Sequence, residues 1–191
     1  YATGQGSTPE YVLNAILEKN GLTAGEDVTI EYKAEHDELS TLIASGEVAL
    51  AMLPEPNVTA AMAKNENLRI ALDLTTEWEN LGLGTLVQGC IVARDEFLQQ
   101  NPQAMQTFLE EYAASVSFVN GDPAAAGEMV VAAGIMPQAA LATKAIPNCN
   151  IVCIQGDEMK AMASSTLQVL YDANPKSVGG AMPDDGFYYL P

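Results

Sequence analysis

Apolar and polar residues alternate over residues 28–32 (Val-Thr-Ile-Glu-Tyr), the period of a half-buried strand. Residues 48–53 (Val-Ala-Leu-Ala-Met-Leu) form an unbroken apolar run, as in a strand covered on both faces, and residues 68–74 resemble it. Helical spacing fills the gaps. Val12, Leu13, Ile16 and Leu17 make one stripe, which Gly21 ends. Leu39, Leu42 and Ile43 make a second, with Asp37 as its cap and Gly46 as its stop. A third follows Pro56 and carries Val58, Ala61 and Met62. With a strand end at the start of the chain, this βαβαβαβ order predicts a parallel sheet with right-handed crossovers. Ligands bind such sheets at the carboxyl ends of the strands, so residues 3–8, 33–37 and 54–58 are expected to share one rim.

Beyond residue 74 the pattern changes. Residues 75–87, with Trp78, Gly82 and Gly84, are expected as a loop and residues 88–94 as a further strand. Asn101-Pro102 opens a helix with Met105, Phe108, Leu109, Tyr112, Val116 and Val119 inward. Asp122-Pro123 opens another, which Gly134 ends, and Asp157 caps one carrying Met159, Met162, Leu167 and Leu170. A short strand is expected at residues 151–154, and residues 174–191 form a turn-rich tail with the aromatic cluster Phe187-Tyr188-Tyr189. These helices have apolar faces and almost no strands to cover. The expectation is that an N-terminal segment outside the chain, or a partner chain, supplies their sheet.

The most informative local signal is at residues 1–10 (Tyr-Ala-Thr-Gly-Gln-Gly-Ser-Thr-Pro-Glu), a strand end, a glycine turn and a helix start. Ser7 and Glu10 have capping-box spacing, and Pro9 suits the first helical turn. Free N–H groups at such a start favour an acidic or hydrogen-bond-accepting ligand group. No Gly-Lys-Ser/Thr follows, so the turn is not a P-loop, and the dinucleotide glycine pattern is incomplete.

Composition narrows the partners. Eight Lys and Arg against 25 Asp and Glu give a net charge of −17, which disfavours nucleic acid and anionic membrane surfaces. No window reaches the ~18 continuous apolar residues of a membrane span. The 191 residues, 48% hydrophobic, suit one ordinary domain or two small lobes. Cys90, Cys149 and Cys153 lack metal-knuckle or redox spacing; inert thiols, one disulfide and metal ligation stay open in that order, and neither metal nor cofactor is expected.

Taken together, several segments resemble the substrate-binding proteins of ABC importers in the nitrate/taurine/sulfonate and thiamine-precursor (NMT1/THI5-like) group. They are Gly4-Gln5-Gly6-Ser7-Thr8-Pro9-Glu10-Tyr11, Ala44-Ser45-Gly46-Glu47-Val48, Leu53-Pro54-Glu55-Pro56, Asp95-Glu96-Phe97 with Asn101-Pro102, Ile146-Pro147-Asn148-Cys149-Asn150-Ile151, and Val178-Gly179-Gly180 through Pro183-Asp184-Asp185 to Phe187-Tyr188-Tyr189. The resemblance implies an α/β, periplasmic-binding-protein type II-like fold. Residues 1–86 would form a near-complete second lobe with a parallel sheet. Residues 87–191 would be a crossover strand and a mostly helical return to an incomplete first lobe. It also implies an extracytoplasmic protein, anchored to the membrane as a lipoprotein through the absent N-terminus, that passes a small polar or heterocyclic solute to a membrane permease by closure of its cleft. The expected role is binding and not catalysis. The rivals are a thiamine-pyrimidine-synthase-like enzyme of the same fold and an assembly subunit completed by a partner chain.

The resemblance raises Gly6, Ser7 and Thr8 from a plain turn to ligand contacts. Glu55 is balanced between a helix-start carboxylate and an acceptor for a ligand amine or ring N–H, and Asn57 shares that ambiguity. Trp78 is weighed between stacking on a ligand ring and packing. Gln88 lies near the second crossover, within a ligand's reach. His36, the single histidine, is expected as an exposed or helix-start residue, because no nucleophile elbow accompanies it.

Overall fold

The computed structural model describes residues 1–190. The chain divides into two compact units, one of residues 1–53, 65–88 and 154 onward, the other of residues 54–64 and 89–153.

The first unit is built on the strand end at the start of the chain. β1 (Ala2–Thr3) pairs in parallel with β2 (Tyr32–Lys33), Ala2 opposite Tyr32 and Thr3 opposite Lys33. On the other side of β1 the Tyr1 ammonium donates to the Leu50 carbonyl at 3.1 Å, and Met52 N–H donates to the Tyr1 carbonyl at 2.8 Å. That is the hydrogen-bond pattern of parallel neighbours, so β1 lies between β2 and residues 50–52. α1 (Thr8–Lys19) and α2 (His36–Ser45) follow the first two of these segments. Val12 and Ile16 of α1 pack on Trp78, with Leu74, Leu81, Leu83, Leu86 and Val169 around them. Leu39 of α2 is fully enclosed and Ile43 nearly so, as their spacing predicts. α9 (Gly156–Ala173) clasps residues 83–87 through hydroxyls: Ser165 Oγ donates to the Leu83 carbonyl at 3.2 Å, and Thr166 Oγ1 accepts from Val87 N–H at 3.3 Å.

The second unit is helical: α3 (Asn57–Lys64), α5 (Asp95–Gln100), α6 (Pro102–Gly121), α7 (Pro123–Ala132) and α8 (Ala139–Ala145). Asp122 caps α7 by accepting from Ala125 N–H at 3.0 Å. α7 and α8 touch at Gly127, where an added Cβ would lie 2.8 Å from the Ala139 carbonyl oxygen.

Several sequence expectations give way. Residues 75–87 are not wholly loop: α4 (Leu74–Asn80) occupies the first half, capped by Asp73, which accepts from Thr76 N–H at 3.0 Å. α8 forms where the sequence pattern predicts no helix. α2 begins at His36, one residue before its expected cap Asp37, and α9 begins at Gly156, before Asp157. Residues 68–72, 88–94 and 151–154 carry no strand ladder among the described residues. Leu72 is 64% exposed, Val92 74% and Val152 55%. A strand needs a neighbour for its backbone groups, and a run of apolar residues cannot provide one by itself. On α6 only Met105 is buried; Phe108 is exposed and stacks on Tyr112 with ring centres 5.8 Å apart. The tail holds to α9 through Lys160, whose Nζ lies 2.8 Å from Asp185 Oδ1 and over the Tyr188 ring. The last residue of the expected tail, Pro191, lies outside the described residues.

Candidate functional site

The glycine turn connects β1 to α1 as the sequence suggests, with a different hydrogen-bond arrangement. Gly4 sits at φ +80°, and a Cβ there would meet Pro9 Cγ at 2.8 Å. Both the backbone angle and the space restrict this position to glycine. Ser7 Oγ donates to the Gly4 carbonyl at 2.7 Å, and Ser7 N–H donates to the same oxygen at 3.1 Å. Because that N–H is already engaged, Glu10 reaches past it and its carboxylate accepts from Gly6 N–H. The expected capping box is therefore displaced by one residue. A carboxylate of this chain already occupies a donor that an anionic ligand would need. Gly6 and Ser7 are exposed and Thr8 is half-buried.

Beside the turn lies a shallow recess of about 270 Å³ lined by Gly4, Gln5, Tyr32, Lys33 and Ala34, at the carboxyl ends of β1 and β2. The buried Thr3 and the first residue of α2 meet close by: His36 Nδ1 lies 2.7 Å from Thr3 Oγ1. This bond ties α2 to the end of β1. Sequence reasoning placed His36 at a helix start but had no signal for its partner, which is 33 residues away.

The remaining candidates are distributed as follows. Gln88 belongs to the first unit and is exposed. Trp78, in the same unit, is 1% exposed, and its indole N–H donates to the Leu83 carbonyl at 3.1 Å. Its ring is enclosed by α1 and the 81–86 segment, so it packs beneath the helix that follows the turn. Glu55 and Asn57 belong to the second unit and are half-buried. Glu55 Oε2 accepts from Thr59 N–H at 3.1 Å, satisfying a first-turn donor of α3. Cys149 is in the same unit and donates to the Ala145 carbonyl; burial, then the Glu55 charge, pushes its thiol above the ordinary range. Among the described residues no group of three or more His, Cys, Asp or Glu side chains is arranged to hold a metal ion.

Residues 1–126 match the family described as NMT1/THI5 like. The chain belongs to that family. The NMT1/THI5-like chain also superposes, with a TM-score of 0.75 and 26% identity, on a crystal structure described as an ABC transporter from Parabacteroides distasonis. The match covers all of this chain and 65% of that one. The fold is accordingly α/β of the kind found in that protein, mostly helical with a small parallel sheet. No curated protein sequence matches closely enough to count as a relative. No helix among the described residues is long and apolar enough to cross a membrane.

Proposed function

We propose that this chain acts in solute capture for an ABC importer, binding a small polar or heterocyclic compound outside the cytoplasm and presenting it to a membrane permease. The observation that carries this reading is the agreement of the whole chain with the fold of an ABC transporter protein, together with the family match. The β1–turn–α1 junction, with Gly6, Ser7 and Thr8 at the carboxyl end of a parallel strand, is where such a fold presents ligand contacts. Gln88, Glu55 and Asn57 are the further contacts proposed, and uptake proceeds by closure of two lobes about a hinge. Strands from outside these residues would cover the exposed apolar runs at 68–72 and 90–92. Trp78 supports α1 from below in place of stacking on the ligand.

The electrostatics favour a neutral or cationic ring compound over a sulfonate or nitrate. Glu10 already holds the Gly6 N–H, and the net charge of −17 repels anions. The single histidine is engaged with Thr3, which suits binding better than catalysis.

A thermal-shift screen over sulfonates, nitrate, pyrimidines and flavins tests the reading, because a ligand that binds only the folded state raises Tm. A rise with a pyrimidine or flavin and none with the anions is expected. No rise with any class would overturn solute capture. Ser7→Ala and Glu55→Ala should each weaken a hit about tenfold, the loss of one or two hydrogen bonds. Unchanged affinity in both removes the site assignment.

A further inference from the structure

Along α1 and β2, a depression of about 400 Å³ is lined by Glu10, Asn14, Ala24, Gly25, Thr29, Ile30 and Tyr32. Glu10 and Asn14 are four residues apart on α1, so their side chains stand on one face. Tyr32 comes from β2; burial, then the Glu10 charge, hold its phenol above the ordinary range. Asn14 Oδ1 is the buried side-chain oxygen without a hydrogen-bond partner among the described residues. Asn14 itself is half-buried, and an amide turns about a broad terminal torsion. Turned toward the depression, that oxygen becomes an acceptor for a donor placed there.

The opposite wall is already formed. The Thr23 carbonyl accepts from the N–H groups of Glu26 and Asp27, and Asp27 Oδ2 accepts from Thr23 N–H at 2.9 Å. Gly25 N–H donates to the Val28 carbonyl at 2.8 Å. Ala24 and Ile30 contribute apolar surface. The polar groups on α1 and β2 are acceptors: a carboxylate using only part of its lone-pair capacity, a phenol oxygen and an amide oxygen.

We propose that this depression is a second ligand site, adjoining the glycine turn through Glu10 and Tyr32, that takes a compact primary ammonium compound. An R–NH₃⁺ group has three donors, which meet the three acceptors, and its charge pairs with Glu10. A short alkyl chain lies against Ala24 and Ile30. The acidic surface raises the local concentration of such cations.

The test is NMR titration of the intact chain with ethylammonium chloride, read at the Asn14 side-chain amide and the Gly25 backbone amide. Tetramethylammonium has the same charge without N–H donors, and acetate serves as the anion control. Saturable shifts with ethylammonium alone are expected, weakened about tenfold in Glu10→Gln and Asn14→Leu, where a charged hydrogen bond or its acceptor is lost. Tyr32→Phe keeps the ring and the fold and should weaken binding several-fold. Glu111→Gln removes an equal charge on α6 and should leave binding unchanged. Absence of saturable shifts, equal binding of tetramethylammonium, or unaltered affinity in Glu10→Gln and Tyr32→Phe would each overturn the proposal. None of these results depends on whether a pyrimidine or flavin binds at the glycine turn.

Discussion

Gly4 shows how one residue can be specified twice. Its positive φ disfavours any side chain, and the Pro9 ring fills the space a Cβ would take. Gly4→Ala should cost about 1–3 kcal/mol, measurable as a lower midpoint in urea with an unchanged slope. A cost near zero would mean the turn relaxes into another shape. Cys149 gives a chemical counterpart. Its thiol is part-buried, hydrogen-bonded to the Ala145 carbonyl and raised by burial and by Glu55, whereas Cys90 is exposed. Because the thiolate is the reactive form, iodoacetamide at neutral pH should label Cys90 well before Cys149, as peptide mass mapping would show. Much of this was legible in the sequence. Gly4, Ser7 and Glu10 announced a turn and a helix start; the destination of Glu10 was not legible, because it depends on Ser7 N–H being taken by Gly4.

Helices with a clear apolar stripe formed within a residue or so of where they were expected. α1 buries Val12 and Ile16, α2 buries Leu39 and Ile43, and α7 starts at its Asp122 cap. Leu39 is fully enclosed, so Leu39→Ala should cost about 2–5 kcal/mol, read as a fall in Tm. The attachment of the tail to α9 is electrostatic and therefore depends on pH. The hydrogen bond from Lys160, then its charge, lowers the Asp185 carboxyl; the bond to Asp185, opposed in part by desolvation, raises Lys160. A lowered acid contributes stability above its ordinary value of 3.8 and loses it as pH falls through the folded value. A raised base contributes below its ordinary 10.5 and loses that as pH rises through the folded value. The contact is thus complete between about pH 4 and pH 10. Protection of the amides of residues 184–190, taken relative to their intrinsic exchange rates, should be greatest inside that window and fall on its acid side, and Asp185→Asn should remove the acid dependence. α4 was missed because Asp73, its cap, and Leu74, its first residue, also fall within the run 68–74 that resembles a strand.

At the scale of the whole molecule, exposed apolar residues are the feature with consequences. Leu50, Ile70, Leu72, Ile91, Val92 and Val152 are each more than half exposed. On a soluble chain, large apolar side chains left exposed in contiguous patches mark surfaces that another segment covers. The chain by itself should bind a hydrophobic dye such as ANS strongly, and strands that pair with these runs should suppress the signal. Weak dye binding by the isolated chain would count against the proposed additional strands. The sequence alone determined the family, the helices with a clear apolar stripe, the glycine turn and the acidic character, because each depends on neighbours within a few residues. The tertiary structure decided which apolar runs became strands, since a strand exists only through a second segment that takes its hydrogen bonds. It also placed Trp78 in the core, joined His36 to Thr3, and brought Glu10, Asn14 and Tyr32 around one depression. Those outcomes rest on contacts between residues distant along the chain, and no local pattern encodes them.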